Sequence, residues 1–296
     1  MAKENLELMT EAEIRKLNKT KELSENFYKY RDAIVEAYGD VIFIEGSHKY
    51  LLNGVELVPV TSMIHMFQSQ PDWDKIKKNF AKKNHVSVDT VTKWWTLKNV
   101  IATNSGTHVH EFAESCYYHY TCQDDKILPM FKRQLEKGFF VPNSGKELAA
   151  IKFWDDIMQT PGLYPMLVET KVYSAKINGI YPYAGMFDLM MYYEDPVSGK
   201  DGVVIMDYKT NDTLYSDYNR VNNNTLLFPF DDMVDEAFSH YELQLAAYQI
   251  PIEKGLGIPV LGRRIIHLKD DGSYELIRVG NKTDRLFEAL QKIEVK

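Results

Sequence analysis

The chain has 296 residues, 45% hydrophobic and 26% charged, and a net charge of −7. That length buries a substantial core and that composition is ordinary for a globular protein; the negative charge excludes a protein that coats nucleic acid through a uniformly basic surface. No apolar run approaches the roughly 20 residues of a membrane helix. The start, MAKENLELMTEAE, carries no signal-peptide core, and two cysteines, Cys116 and Cys122, are too few for a four-cysteine zinc or iron–sulfur site. A reducing, cytoplasmic setting without disulfides is the expectation.

Thr10-Glu-Ala-Glu13 reads as a capping box opening a helix that Gly39 closes. Short strands are expected over 41–45 and 49–58, with Asn53-Gly54 as a two-residue hairpin turn. Helical periodicity dominates from about Thr61 to Tyr120, with breaks near Pro71 and around Asn104-Ser105-Gly106. Within it, Lys75, Lys77, Lys78, Lys82 and Lys83 interleave with Trp73, Phe80, Trp94 and Trp95: either a solvated amphipathic helix or a local basic strip. A helix over 146–159 stops at Pro161-Gly162. Strands then follow over 166–174, 180–193 and 203–209, the last two a natural antiparallel pair across the loop 194–202. The polar stretch 211–224 reads as a mobile loop over a site. A helix over 233–254, a hairpin over 263–269 and 274–279, and a helix over 284–293 complete the chain. The pattern predicts α/β architecture in one domain over 41–296, with residues 1–40 as a helical N-terminal elaboration. Its helical part covers 61–160 and its sheet and site helix 165–280.

The chemistry concentrates in Val203-Val204-Ile205-Met206-Asp207-Tyr208-Lys209. Side chains alternate along a strand, so Asp207 and Lys209 share a face while Tyr208 turns away. A carboxylate for a divalent cation and an amine to orient or deprotonate water are presented together. In isolation the pattern also suits a strand ending in solvated charges. Asp188 lies inside an apolar strand, where a carboxylate is costly unless paired or metal-bound. Gly106-Thr-His-Val-His110 is expected at a helix start, with Gly106 permitting close approach of backbone or phosphate. His110 and Glu114 share a helical face at i,i+4. Glu169 ranks below these, as a lysine-orienting or second-metal carboxylate or a cross-strand partner of Lys171. Gln244 and Tyr248, one helical turn apart, offer an amide and a phenol to a phosphate or a base.

The order Gly106 and His110, Asp188, Asp207-Tyr208-Lys209, then Gln244 with Tyr248 resembles the PD-(D/E)XK nuclease superfamily, in its RecB-like and phage-exonuclease branch. The segment His48-Lys-Tyr-Leu-Leu-Asn-Gly54 followed by Val58-Pro-Val-Thr61 is similar to a recurring entry to such enzymes. The resemblance covers residues 42 to 280. It implies a central mixed sheet flanked by helices, a restriction-endonuclease-like core, with one or two Mg²⁺ or Mn²⁺ ions on His110, Asp188, Asp207 and the Tyr208 carbonyl, Glu114 and Glu169 being further candidates. It makes Lys209 the catalytic lysine, with Gln244 supporting it or contacting substrate; Gly106 and, by stacking unpaired bases, the aromatic faces of Trp73, Trp94, Trp95 and Tyr248 are the further candidate substrate contacts. There is no iron–sulfur quartet and no nucleotide loop. The second acid is aspartate, which that branch tolerates.

The implied activity is metal-dependent DNA hydrolysis, most simply exonucleolytic, in phage or mobile-element replication or recombination. DNA ends and a single-strand-annealing or replication protein are the expected partners, with no membrane, in a bacterial or phage-infected cell. A catalytically silent nucleic-acid-binding recombination accessory protein is the rival. A zinc hydrolase is the weaker enzymatic one, since Glu114 stands where the second histidine of H-E-x-x-H belongs.

Overall fold

Thr10 opens the first helix by accepting a hydrogen bond from the Glu13 amide, while the Glu13 carboxylate accepts from the Thr10 amide at 2.8 Å. This is the expected capping box. A computed structural model provides the structure and describes residues 9–136 and 138–293; the reading of residues 1–8 lies outside them. Helix α1 (Glu11–Thr20) ends at Lys21, whose backbone is extended, and α2 (Glu25–Tyr38) starts afresh. One continuous helix to Gly39 is therefore corrected to two. The break lets Ile14 enter one core cluster while Phe27 and Ile34 enter another, which a straight helix could not do.

Strands β1 (Ile42–Ile44), β2 (Lys49–Leu52) and β3 (Val55–Pro59) form a meander. Its second turn is Asn53-Gly54, both at positive φ (51° and 81°), as the tight hairpin demands. Helices α3 (Val60–Ile64) and α4 (Trp73–Lys83) precede α5 (Val88–Tyr120), which runs through 33 residues without a break. The expected interruption around Asn104-Ser105-Gly106 is absent. One helical glycine costs only about 1 kcal/mol, little against the packing of the helix from Val109 to Tyr120. Gly106 is therefore mid-helix and not at a helix mouth.

Next come α6 (Pro129–Lys132), the small hairpin β4 (Leu135–Glu136) and β5 (Phe139–Phe140), and α7 (Gly145–Ile157), capped by Ser144. The strands β6 (Leu163–Tyr173), β7 (Tyr183–Glu194) and β8 (Asp201–Lys209) follow. The polar stretch after them is pinned, not loose. It contains α8 (Asp217–Val221), and Glu236 accepts from the Ser216 amide and from the Arg220 guanidinium. Helix α9 (Ala237–Ile250) continues as one wider turn through Pro251, which has no amide to donate. Strands β9 (Val260–Leu268) and β10 (Tyr274–Arg278) and helix α10 (Thr283–Gln291) end the fold.

Eight strands form a mixed sheet in the order β1-β2-β3-β7-β8-β9-β10, with β6 also on β7. The β3–β7 and β8–β9 pairs are parallel and the others antiparallel. Helices flank both faces. Val203 and Ile205 join the core cluster containing residues of α2, α3, α9 and α10, whereas Val204, Met206 and Tyr208 join that of α1, α5 and α7. Among the described residues no helix is long and apolar enough to cross a membrane.

The centre of the sheet is forked. β6 pairs with β7 from Tyr193 to Ala184 and so takes one edge. The other edge is shared: β3 pairs at Tyr183–Ala184 and β8 at Leu189–Glu194. Residues 185–188 fall where the two neighbours part. Gly185 sits there because a Cβ would come within 2.7 Å of both Tyr248 on α9 and Val60 on α3. Gly185→Ala is expected to lower stability by about 1–3 kcal/mol, the usual cost of overpacking. Chemical denaturation followed by circular dichroism checks this; an unchanged midpoint refutes the tight approach.

Candidate metal centre

Where β7 and β8 part, a side chain replaces the backbone ladder. Asp188 Oδ2 accepts a hydrogen bond from the Tyr208 amide at 2.7 Å. Asp188 is only 8% exposed, and a buried carboxylate needs partners. His110 of α5 supplies one, its Nδ1 3.3 Å from the same oxygen. The third member comes from β6. Glu169 has φ of 43°, a left-handed conformation that costs a non-glycine residue roughly 1–3 kcal/mol. The β6–β7 ladder skips from Val168↔Leu189 to Thr170↔Phe187 at this point, leaving Glu169 opposite Asp188. Ligand atoms of His110, Glu169 and Asp188 all lie within 4.8 Å of one another. The three form a cluster capable of coordinating a metal ion.

Asp207 and Lys209 adjoin it on the opposite branch of the fork. Asp207 is 2% exposed, and its Oδ2 is ion-paired with the Lys209 ammonium. That ammonium also lies 4.3 Å from the centre of the Tyr241 ring of α9. Tyr208 turns to the other face, where its ring meets the edges of His110 and Phe153 at 6.0 and 5.9 Å. The alternation read from sequence is thus present in three dimensions.

Three carboxylates crowd this buried space, and their proton affinities register it. Burial, and next the negative charge of Asp188, push Asp207 up to about 6 and Glu169 well above the usual carboxylate range. Asp188 is held low despite burial, by the charge and hydrogen bond of His110. For His110 burial opposes the charged form, but Asp188 outweighs it and the net direction is upward. Lys209 behaves likewise: burial would depress its pKa, yet Asp207 and Asp188 raise it. The lysine is therefore an ammonium at neutral pH, which fits orienting a water better than deprotonating it.

A cleft of about 850 Å³ holds the cluster, with Asp207, Lys209 and Gln244 on its wall. The β1–β3 meander closes one side through Phe43, His48 and Tyr50. Other sequence candidates fall into place unevenly. Glu114 lines the cleft but accepts from Tyr118 OH at 3.0 Å, outside the three-residue cluster. Gln244 donates to Tyr248 OH at 2.7 Å, and Tyr248 is buried against Phe187. Gly106 borders the cleft, and a Cβ there would lie 3.4 Å from Thr210 Oγ1. Trp94 is exposed and lines a neighbouring groove with Lys98 and Asn211. Trp95 is wedged between Trp73 and Phe80, fastening α4 to α5. Of the lysine run, Lys75, Lys78, Lys82 and Lys83 are exposed and Lys77 is half-buried. Tyr241 beneath Lys209 carried no signal beyond its position at the start of the Gln244–Tyr248 helix.

Set against known proteins, the sequence matches no family model and no curated protein. The donor chemistry itself has to define the centre. An imidazole nitrogen and carboxylate oxygens suit a divalent metal, and two positive charges would offset the crowding that raises Glu169 and Asp207.

The signs of these shifts fix a pH dependence. A carboxyl or imidazole whose folded pKa lies above its unfolded value favours the folded state at low pH, and that contribution fades as pH rises through the folded pKa. Asp207, Glu169 and His110 all act this way, while Asp188, held low, acts only below its ordinary range near 4. Metal-free protein is therefore expected to lose stability at this site as pH rises from about 4 through about 6, where Asp207 titrates, with a shallower loss in Asp207→Asn. Mn²⁺ competes with the same protons, so the gain in Tm on adding Mn²⁺ should grow from pH 5 to 8. A gain that is absent or independent of pH would contradict the metal centre.

Proposed function

We propose that this chain is a divalent-metal-dependent DNA nuclease of the PD-(D/E)XK type, acting with Mg²⁺ or Mn²⁺ and degrading DNA from ends. The observation that carries the reading is the convergence at one sheet fork of Asp188, Asp207 and Lys209, with His110 and Glu169 completing the donor set. A mixed sheet whose central strand β7 is antiparallel to β8, followed by α9, supports a restriction-endonuclease-like core.

In this reading Asp188, Glu169 and His110 hold the ion, with Asp207 beside them. The Tyr208 carbonyl is a further donor. Within a strand the amide and carbonyl of one residue leave by the same edge, and the Tyr208 amide points at Asp188. A bound Mg²⁺ or Mn²⁺ supplies an acidified water and stabilises charge on the phosphodiester. Lys209, fixed as an ammonium by Asp207 and Tyr241, orients the attacking water and donates toward a phosphate oxygen where negative charge grows. Gln244 holds Tyr248 in place and presents the rest of its amide to the cleft. Trp94 and Lys98 line the groove that reaches Thr210 and Asn211, next to Lys209, where an aromatic face and positive charge suit an unpaired strand. A phage or mobile-element replication or recombination setting, with an annealing or replication partner, fits this chemistry.

The test is degradation of end-labelled single-stranded, double-stranded and circular DNA with Mg²⁺ or Mn²⁺. Asp207→Ala and Lys209→Ala are each expected to lose about 10²–10⁴-fold in rate, Glu169→Gln to be similarly impaired, and EDTA to stop the reaction. Full activity in both of the first two variants defeats the site. Intact circles alongside degraded linear DNA support an exonuclease. DNA binding that ignores EDTA, without any cleavage, would instead favour an accessory binding protein.

A further inference from the structure

A second cavity, of about 460 Å³, opens further along α5 and β6, on the side of Glu114 and Glu169 away from the fork. Its volume lies in the range of small-molecule sites. Its floor is apolar and buried, formed by Phe27, Tyr117, Met166 and Leu167. Its rim carries Lys21, Arg31 and Lys126, and among the described residues no carboxylate lines it, although the chain as a whole is acidic.

The three cations share one arrangement: each head rests on a tyrosine. Lys21 Nζ lies 3.7 Å from the Tyr164 ring centre, Arg31 5.1 Å from Tyr28 and Lys126 5.7 Å from Tyr118. Arg31 also pairs with Asp32, and Lys126 donates to the Gln123 side chain. Lys21 has no carboxylate partner among the described residues. Burial pulls its pKa below the ordinary lysine value, so a nearby anion would be favourable. Ring faces hold such cations by modest electrostatic attraction, weaker than charge-assisted hydrogen bonds to phosphate. An apolar floor with a cationic rim and the Asn18 and Gln123 amides at its wall matches a ligand with a flat ring at one end and a phosphate at the other.

We infer that this cavity is a nucleotide-binding site distinct from the metal cleft, taking the phosphate on Lys21, Arg31 and Lys126 and the base on the floor. The same chemistry has two sources: a free deoxynucleotide, or one nucleotide of a strand lying along α5. The inference holds whether or not the metal cleft cleaves DNA.

Calorimetric titration of the full chain in EDTA tests it, with thymidine monophosphate, inorganic phosphate and thymidine as separate probes. Thymidine monophosphate should bind saturably and at least tenfold tighter than either fragment. K21Q/K126Q should weaken it at least tenfold, K21R/K126R should restore it, and Asp207→Asn should leave it unchanged. The inference is overturned if thymidine monophosphate does not saturate, if phosphate or thymidine alone binds as tightly, or if K21Q/K126Q binds like wild type. An oligothymidylate that binds tighter than the mononucleotide, and loses that gain in K21Q/K126Q, identifies the strand as the source. Equal affinities identify the free nucleotide.

Discussion

The hydrogen bond from the Tyr208 amide to the Asp188 carboxylate is the constraint on which the rest of the site depends. A strand edge in the middle of a protein must have its amides satisfied, and between Leu189 and Ala184 the edge of β7 changes hands from β8 to β3. Using a side-chain acceptor there ends the β7–β8 ladder without leaving the Tyr208 amide bare. It also fixes the carboxylate, so that its position follows from the sheet and not from a rotamer choice. Space for a ligand exists because two strands diverge, and its walls are as rigid as the strands themselves.

Around that fixed point the molecule tolerates local costs. Glu169 takes a backbone conformation that side chains disfavour, and Asp207 is buried beside another carboxylate. Gly185 gives up a side chain so that Val60 and Tyr248 can close on the strand. Each is unfavourable alone, and all three occur within the same few residues of sheet. Coincidence of strain and charge at one place is the mark of a site held ready for a ligand.

The parts of this arrangement that were legible in the sequence are those governed by local rules. Asn53-Gly54 announced its hairpin because only a tight turn uses two positive φ angles so readily. Asp207 and Lys209 share a face because strands alternate, and β7 and β8 pair because their connection is short and turn-rich. What escaped was set by distant contacts. Gly106 looked like a break, yet α5 continues through the exposed turns 96–105, because one glycine costs a helix little and the helix is anchored in packed structure on either side, at Val91 and from Val109 onward. The step between α1 and α2 is invisible to a capping rule, since it reflects the need to reach two cores. Glu169 was undervalued because nothing in Leu167-Val-Glu-Thr-Lys171 reveals a backbone inversion imposed by the opposing strand. The contacts of Trp95 with Trp73 and Phe80, where α4 meets α5, likewise had no local signal.

The unbroken course of α5 has a mechanical meaning. Its 33 residues extend about 50 Å at the standard helical rise, and three regions hang from it: the groove at Trp94, the cluster at His110 and the cavity at Tyr117. A rigid rod turns sequence distance into spatial distance and angle together. One inserted residue anywhere between Trp94 and His110 would swing the groove by about 100° about the helix axis relative to the metal cluster, with every individual residue still present. The helix thus acts as a protractor as much as a support, and the phase between its stations is itself part of the fold's geometry.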